Sequence, residues 1–433
     1  MQKYFNLTVV FGLIFSGVLY SQPAPTSFET RLQGYEQRKA MKAGSMLSAL
    51  TPESIGPSVF SCRVTDVDVN PADPTRFFVA YASGGLWYTE SNGTSFKPLF
   101  DHEASMTIGD IAVDWTNNVI WVGTGEVNSS RSSYAGTGIY RSADNGKTWD
   151  WRGLPESQHI GRIVLHPTDP NTLWVAVLGH LYSPNEARGV YKTTDGGLNW
   201  RRTLFAGDTV GAVDVIIDPG DPNTLFAATW ERDRKAWNFT GAGAGSGIWK
   251  STDGGDTWKK LDAASSGFPG GNKIGRIGLA AGRKNGKTVL YASLDNQNPK
   301  PPKEESKDDV LTKDQLRTIS KADFLNLPED KVTDFLKQND FPEKYTAKSV
   351  RQMVETDKLK PIALVEYLED ANNDLFETDF IGAEVWRSED GGSTWNEKIL
   401  GAPNTVATDL ALSESGVMYV ASMDNGLLSS RDS

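Results

Sequence analysis

The stretch Gly247 to Trp258, GIWKSTDGGDTW, recurs along the chain with the same punctuation. Gly138 to Trp149 reads GIYRSADNGKTW, Gly189 to Trp200 reads GVYKTTDGGLNW, and Ala383 to Trp395 reads AEVWRSEDGGSTW. Gly426 to Ser433, GLLSSRDS, opens as a further copy. Self-similarity at a regular spacing marks a repeat architecture and outranks any single motif. In each copy, period-two alternation on both sides of the Asp-Gly-Gly centre predicts two strands joined by a tight hairpin. The carboxylates of Asp144, Asp195, Asp253 and Asp390 are placed to accept backbone N–H groups and the Ser or Thr two residues earlier. Glycine at the second position after Asp suits a positive φ, and the closing Trp149, Trp200, Trp258 or Trp395 supplies a large apolar face to cover the hairpin. Turn geometry accounts for every part of the motif, so these four Asp residues read as structural.

Outward from the hairpins, a set of four strands repeats, here labelled a to d. In the third unit a is Ile160 to Pro167, b is Thr172 to Gly179, c is Gly189 to Thr194, and d begins at Asn199. The fourth unit repeats this over Val210 to Pro219, Thr224 to Glu231 and Gly247 onward. The first starts at Cys62 with a degenerate hairpin in which Ser91 replaces the Asp; the second starts at Ile108, the fifth at Ile274 and the sixth near Ala407. Asp144 and Asp195 are 51 positions apart, and Asp195 and Asp253 are 58 apart. Such periods, with four strands each, predict an all-β propeller of four-stranded antiparallel blades over residues 48–433, six units being visible. The last unit stops without strand d, so Ser48 to Gly56 is expected as a closing strand unless the natural chain carries more blades.

The fifth unit breaks the rhythm. Between its strand b, Thr288 to Asp295, and Ala383 lies a segment that opens PKPPKEESKDD and then turns helical. Thr312, Ser320, Pro328 and Thr346 read as helix starts, which predicts a small α-helical insertion over 303–376. Asp370-Ala-Asn-Asn-Asp374 has calcium-like spacing, but Leu375 stands where an EF-hand loop needs Gly, so it reads as a solvated acidic turn.

The composition narrows the function classes. A net charge of −11 and no basic stripe argue against nucleic acid and anionic membrane surfaces as partners. A single cysteine, Cys62, forbids an intrachain disulfide and a Cys-based zinc site; no metal and no cofactor are expected. Lys3 followed by the apolar run Val9 to Leu19 and Tyr20-Ser21-Gln22 reads as a cleavable signal peptide over 1–21, with leader and linker over 22–47 that includes a short helix from Phe28 to Met41. The expected address is secreted or periplasmic, without an integral membrane segment in the mature chain.

Strand order fixes where a site belongs. In an antiparallel blade the a–b and c–d turns share one end and the b–c and d–a loops the other. The long, individual loops are at b–c: Glu126 to Thr137, His180 to Arg188, Glu231 to Ser246 and the helical insertion. Function concentrates on such loops. A ring of residues closes the b strands: Ser83, Glu126, His180, Glu231, Asp295 and Asp424, with Arg131, Arg188, Arg232, Arg234, Trp230 and Trp237 nearby. Of these, Arg131, His180, Arg188, Trp230, Arg232, Asp295 and Asp424 are the candidate ligand contacts at the rim of the central opening, and Glu126 with Glu231 the candidate catalytic pair. The competing reading is that strands end in polar residues because they end at water. His159 and Arg162 also sit where an inner strand starts, His159 reading as a hydrogen-bonded structural histidine.

The Ser/Thr-x-Asp-x-Gly-x-Thr/Asn-Trp string resembles the Asp-box, or BNR repeat. Together with IGDIAVDW, GTGE, HIGRIVLHPTDPNTLWVAVLGHLYSPNEARGVYKTTDGGLNW and GAVDVIIDPGDPNTLFAATW, it is similar to the sortilin N-terminal (Vps10-like) propeller group, whose exported bacterial members are often labelled glycosyl hydrolases. The resemblance implies an Asp-box propeller with ligand binding inside the tunnel, as in eukaryotic relatives. Sialidases of this fold carry an early Phe/Tyr-Arg-Ile-Pro motif; here the stretch around Arg63 lacks it, so no sialidase residue transfers. Two functions therefore stand side by side. One is an exported propeller that binds a peptide or glycan on the b–c loop face. The other is a glycoside hydrolase, which needs two carboxylates about 5–9.5 Å apart across a sugar. Carboxylates facing an open cleft favour the enzyme; carboxylates each paired to an arginine favour binding or pure structure.

Overall fold

The computed structural model describes residues 26–47, 49–50, 63–300, 311–339, 341–342, 344–369, 380–398, 407–412, 418–422 and 426–430. The expected signal segment, all of the strand at 48–56 except residues 49–50, Cys62, the 370–374 turn and Asp424 lie outside them. The chain divides into two units, Met1–Ser61 and Cys62–Ser433. The first holds one described helix, Phe28–Ala43, capped by Ser27 and burying none of its residues.

Among the described residues the second unit carries six antiparallel blade sheets, their strands ordered as in the sequence, and one separate two-stranded ribbon, Asp233–Arg234 with Phe239–Thr240. Blade 1 is Val64–Val69, Phe77–Tyr81, Gly85–Thr89 and Lys97–Pro98; blade 2 is Ile108–Asp114, Val119–Thr124, Ile139–Ser142 and Asp150–Trp151. Blade 3 is Ile160–Leu165, Leu173–Val177, Gly189–Thr193 and Arg201–Leu204; blade 4 is Val210–Asp218, Asp221–Glu231, Gly247–Ser251 and Lys259–Lys260. Blade 5 is Ile274–Lys284, Lys287–Pro299, Phe380–Ser388 and Asn396–Lys398, and three strands of blade 6 are described, Ala407–Leu412, Met418–Ser422 and Gly426–Ser430. These are the propeller blades that the repeats predict.

From blade 1 to blade 5 the a strands are neighbours, each hydrogen-bonded to the next. Asp66 Oδ2 accepts from Ile111 N (3.1 Å), Asp110 Oδ2 from Ile163 N (2.6 Å) and Asp214 Oδ2 from Leu279 N (2.8 Å). In blade 3 the corresponding residue is Arg162, whose guanidinium spans Asp214 (3.0 Å) and Asp110 (3.5 Å). A bulge in each a strand, between Val64 and Asp66, Ile108 and Asp110, and Ala212 and Asp214, turns these side chains toward the neighbour. Contact is so close that a Cβ on Gly109 would lie 1.9 Å from Ile160 O, which explains the glycine in IGDI.

The Asp-boxes form as read: Ser142 Oγ donates to Asp144 Oδ1 (2.8 Å), which also accepts Lys147 N and Thr148 N, while Thr148 Oγ1 donates to Oδ2 (2.6 Å). In blade 1, Ser91 Oγ accepts Ser95 N at 3.0 Å in the place of the carboxylate. Three of the four closing tryptophans do more than cover their own hairpins, while Trp395 Nε1 donates to Gly392 O of its own box. Trp149 Nε1 donates to Leu99 O, Trp200 Nε1 to Arg152 O and Trp258 Nε1 to Thr203 Oγ1, each in the preceding blade. The second box glycine likewise seats the previous blade's b-strand aromatic: a Cβ on Gly255 would sit 2.4 Å from Trp174 Nε1. The boxes are blade-to-blade connectors.

The insertion within blade 5 contains helices Lys313–Thr318, Lys321–Asn326, Glu329–Gln338, Ala347–Glu355 and Ile362–Leu368, with side-chain caps from Thr312, Ser320 and Thr346. Leu316, Phe324, Val332, Phe335, Val350 and Val365 build a core of their own.

Candidate functional site

The boxes of blades 3 and 4 hydrogen-bond their own a–b turns, Gly196 N to Asn171 O and Gly254 N to Asn223 O. In blade 3 the b–c register runs from Leu173 opposite Thr193, beside the box, to Val177 opposite Gly189, beside the long loop. Five strand residues, about 17 Å, therefore separate the boxes from the b–c loops.

On the loop face, Glu126 is 1% exposed. Its Oε1 takes the Arg63 guanidinium and Ser133 Oγ, and Oε2 takes Asn128 N at 2.5 Å. The next residues pack on other blades: Val127 joins a buried cluster with Leu178, Val213 and Ile274 of blades 3, 4 and 5. Asn128 Oδ1 accepts from Arg276 Nη1 of blade 5 (2.7 Å), and Ser129 O from Arg234 Nε of blade 4 (2.8 Å). Arg63 belongs to blade 1, and His159 Nδ1, ahead of blade 3, lies 2.8 Å from Glu126 O. A loop of blade 2 is thus tied to residues of blades 1, 3, 4 and 5. Burial, with the Arg232 charge, pulls the His159 pKa down to about 3, so its ring is neutral at physiological pH.

Three expected ligand contacts lie inside. Arg188 and Arg232 are each 1% exposed and Trp230 is buried. Arg188 donates to Thr209 O, His180 O and Ser183 O, and Arg232 to Leu181 O and His180 O. Together they fasten the blade 3 loop through its carbonyls. Burial lowers both pKa values, that of Arg188 to about 10. Trp230 Nε1 donates to Gly241 O at 2.7 Å. Glu231 is half-buried, its Oε2 taken by Gly245 N of its own loop (2.7 Å). Each candidate catalytic carboxylate is thus spoken for by a separate structural contact. His180 Nε2 lies 3.1 Å from Glu156 Oε2. Asp295, raised in pKa by burial, accepts Gln297 Nε2 at 2.9 Å. Arg131 is exposed.

Aromatics are what the face presents outward. The b–c loops of blades 2, 3 and 4 expose Tyr134 (57%), Tyr182 (42%) and Trp237 (77%). Trp237 caps a short hairpin in which Asp233 pairs with Thr240 and Arg234 with Phe239, closed by Lys235 N to Asn238 O at 2.8 Å. Its base is clamped: Phe239 packs edge-on against Trp230 at 6.0 Å, and the Arg234 guanidinium lies 4.1 Å over the Phe239 ring while holding Ser129 O. Of this trio sequence reading singled out Trp237 alone; the signal for the tyrosines was one aromatic per polar b–c loop.

The family model described as "Sortilin, neurotensin receptor 3" matches residues 137–359, just over half of the chain. The xyloglucanase of Hypocrea jecorina is 27% identical over 233 residues, 49% of this chain and 24% of that protein. Xyloglucanase Xgh74A of Acetivibrio thermocellus is 27% identical over 141 residues, 29% of this chain and 15% of that protein. The chain thus spans about a quarter or less of the curated relatives it matches. The solved GH74 xyloglucanase from Xanthomonas campestris aligns over 86% of this chain and 52% of its own, at 14% identity and a TM-score of 0.42. No helix among the described residues is long and apolar enough to cross a membrane.

Proposed function

Because the chain belongs to the sortilin Vps10 family, we propose that it is an exported binding propeller whose b–c loop face holds a carbohydrate ligand. Trp237 carries this reading: an indole left 77% exposed at the tip of a hairpin clamped by Trp230, Phe239 and Arg234. Exposing a large aromatic forgoes burial energy, and a rigid, amphipathic ring contributes contact area at low entropic cost. Tyr134 and Tyr182 on neighbouring loops extend the same surface. The partial likeness to proteins named xyloglucanases supports a sugar over a peptide. Hydrolysis is the weaker reading, since Glu126 is neutralised by Arg63 and Glu231 is held by its own loop.

The test is a glycan array and a panel of chromogenic glycosides with the purified chain. Retention of one or more neutral glycans without turnover is expected, with loss in Trp237→Ala. Turnover abolished by both Glu126→Gln and Glu231→Gln would replace binding by catalysis, and retention of peptides alone would remove the carbohydrate.

A further inference from the structure

Outside the axial region, a cavity of about 310 Å³ opens at the end of blade 4's outer strands, lined in part by Gly247, Lys260, Asp262, Phe268, Gly270 and Gly271. Gly247 begins strand c, and Lys260 ends strand d. The cavity therefore belongs to the loop face rather than the Asp-box face. Its volume is at the small end of ligand sites, which run from about 300 to 1,000 Å³.

The Lys260 stem lies flat across Gly247, where a Cβ would come within 2.5 Å of Lys260 Cε. Its Nζ donates to Ala244 O at 2.7 Å, leaving two of three donors for another acceptor. Asp262 Oδ1 accepts Ala264 N at 3.3 Å, leaving its second oxygen. Behind them, the Glu231 carboxylate holds Gly245 N and favours the charged form of Lys260, whose pKa burial lowers. Phe268 forms an apolar wall, fixed edge-on against Trp395 (5.3 Å) and Trp386 (5.7 Å). Gly271 leaves open space beside its backbone, with no atom within 4 Å of a Cβ placed there.

We propose that this cavity binds one neutral sugar ring, Lys260 donating to and Asp262 accepting from its hydroxyls while Phe268 faces its apolar side. One ammonium against two carboxylates disfavours an acidic ligand, and Lys260 itself opposes a cationic one. A hydroxyl both donates and accepts, so a neutral polyol matches the donor and acceptor together without bringing a charge into a partly desolvated site. The proposal rests on the reading that this face takes a saccharide, and it places a subsite away from Trp237.

The experiment titrates the full chain with glucose- and xylose-based oligosaccharides, and with glucuronic acid and glucosamine, by calorimetry and amide NMR. Neutral saccharides are expected to shift the Gly270 and Gly271 amides, with affinity falling about tenfold or more in Lys260→Met and in Asp262→Asn. Asparagine serves as well as aspartate at a helix N-cap, so Asp262→Asn leaves the turn at Ala263–Ser266 in place. Tighter binding of glucuronic acid or glucosamine overturns the proposal. So does a neutral saccharide whose affinity is unchanged in both variants but lost in Trp237→Ala, which leaves the reading of the face standing. Absence of any saccharide binding overturns both.

Discussion

The carboxylate of Asp110, on the inner strand of one blade, accepts the amide of Ile163 on the inner strand of the next at 2.6 Å and also meets the Arg162 guanidinium. This is how one sheet is joined to the next: a side chain supplies the hydrogen bond that no backbone pairing offers between these blades. Asp110→Ala strands a buried N–H and is expected to cost about 1–3 kcal/mol. It should lower the urea midpoint at unchanged m-value. A wild-type midpoint would mean that the ring is held by apolar packing alone.

Asp68 makes the pH-sensitive version of the same contact. It accepts Val113 N (2.9 Å) and Trp115 Nε1 (2.6 Å), yet burial outweighs these bonds and lifts its pKa to about 6. A raised folded pKa means that the folded state holds the proton longer than the unfolded chain. Its contribution to stability is therefore greatest below the unfolded value near 4 and is lost as pH rises to about 6. Two pKa units correspond to about 3 kcal/mol. Wild-type stability minus that of Asp68→Asn should fall by an amount of that order between pH 4 and 7. A pH-independent difference counts against the assignment.

In the Asp-boxes the sign is reversed. Hydrogen bonds from Asn199, backbone first, and from Thr193 hold Asp195 down at about 2. Its contribution is complete above the unfolded value near 4 and disappears as pH falls through about 2. Blade 1 shows that a hydroxyl serves in its place, through Ser91. Asp195→Ser should thus lose less in melting temperature at pH 7 than Asp195→Ala, and the gap between wild type and Asp195→Ala should narrow toward pH 2. Equal losses in the two variants would show that the carboxylate itself is required.

The box spacing made the blades legible because turn chemistry is local: an Asp, a Gly with positive φ and a hydroxyl act within six residues. The helix starts at Thr312, Ser320 and Thr346 were readable for the same reason. The site was only half legible. That the long loops share one face follows from strand order, but what their side chains meet depends on partners far away in sequence. Arg276 reaches Asn128 across 148 positions and Arg234 reaches Ser129 across 105, and neither loop records the other. Charged residues at strand ends therefore looked like a rim, although Arg188 and Arg232 are buried as backbone clamps. Trp230 and Trp237 are equally aromatic on paper; only packing tells the buried anchor from the exposed tip.

Glu126 offers the sharpest contrast between a catalytic and an architectural carboxylate. It is buried, bound to Arg63 and Ser133, and begins the loop that reaches the neighbouring blades. Removing its charge leaves Arg63 with Ser132 but without its ion-pair partner, and because Arg63 is 37% exposed the cost is set below that of a fully buried pair, at about 1–3 kcal/mol. Glu126→Gln should lower stability by that amount, and Arg63→Met should cause little further loss in the Glu126→Gln background, a coupling that a double-mutant cycle in urea measures. Limited proteolysis should cut 127–133 faster in either variant, since the loop loses its tether. Additive losses with an unchanged cleavage rate would release Glu126 from this role and return it to the list of candidate acids.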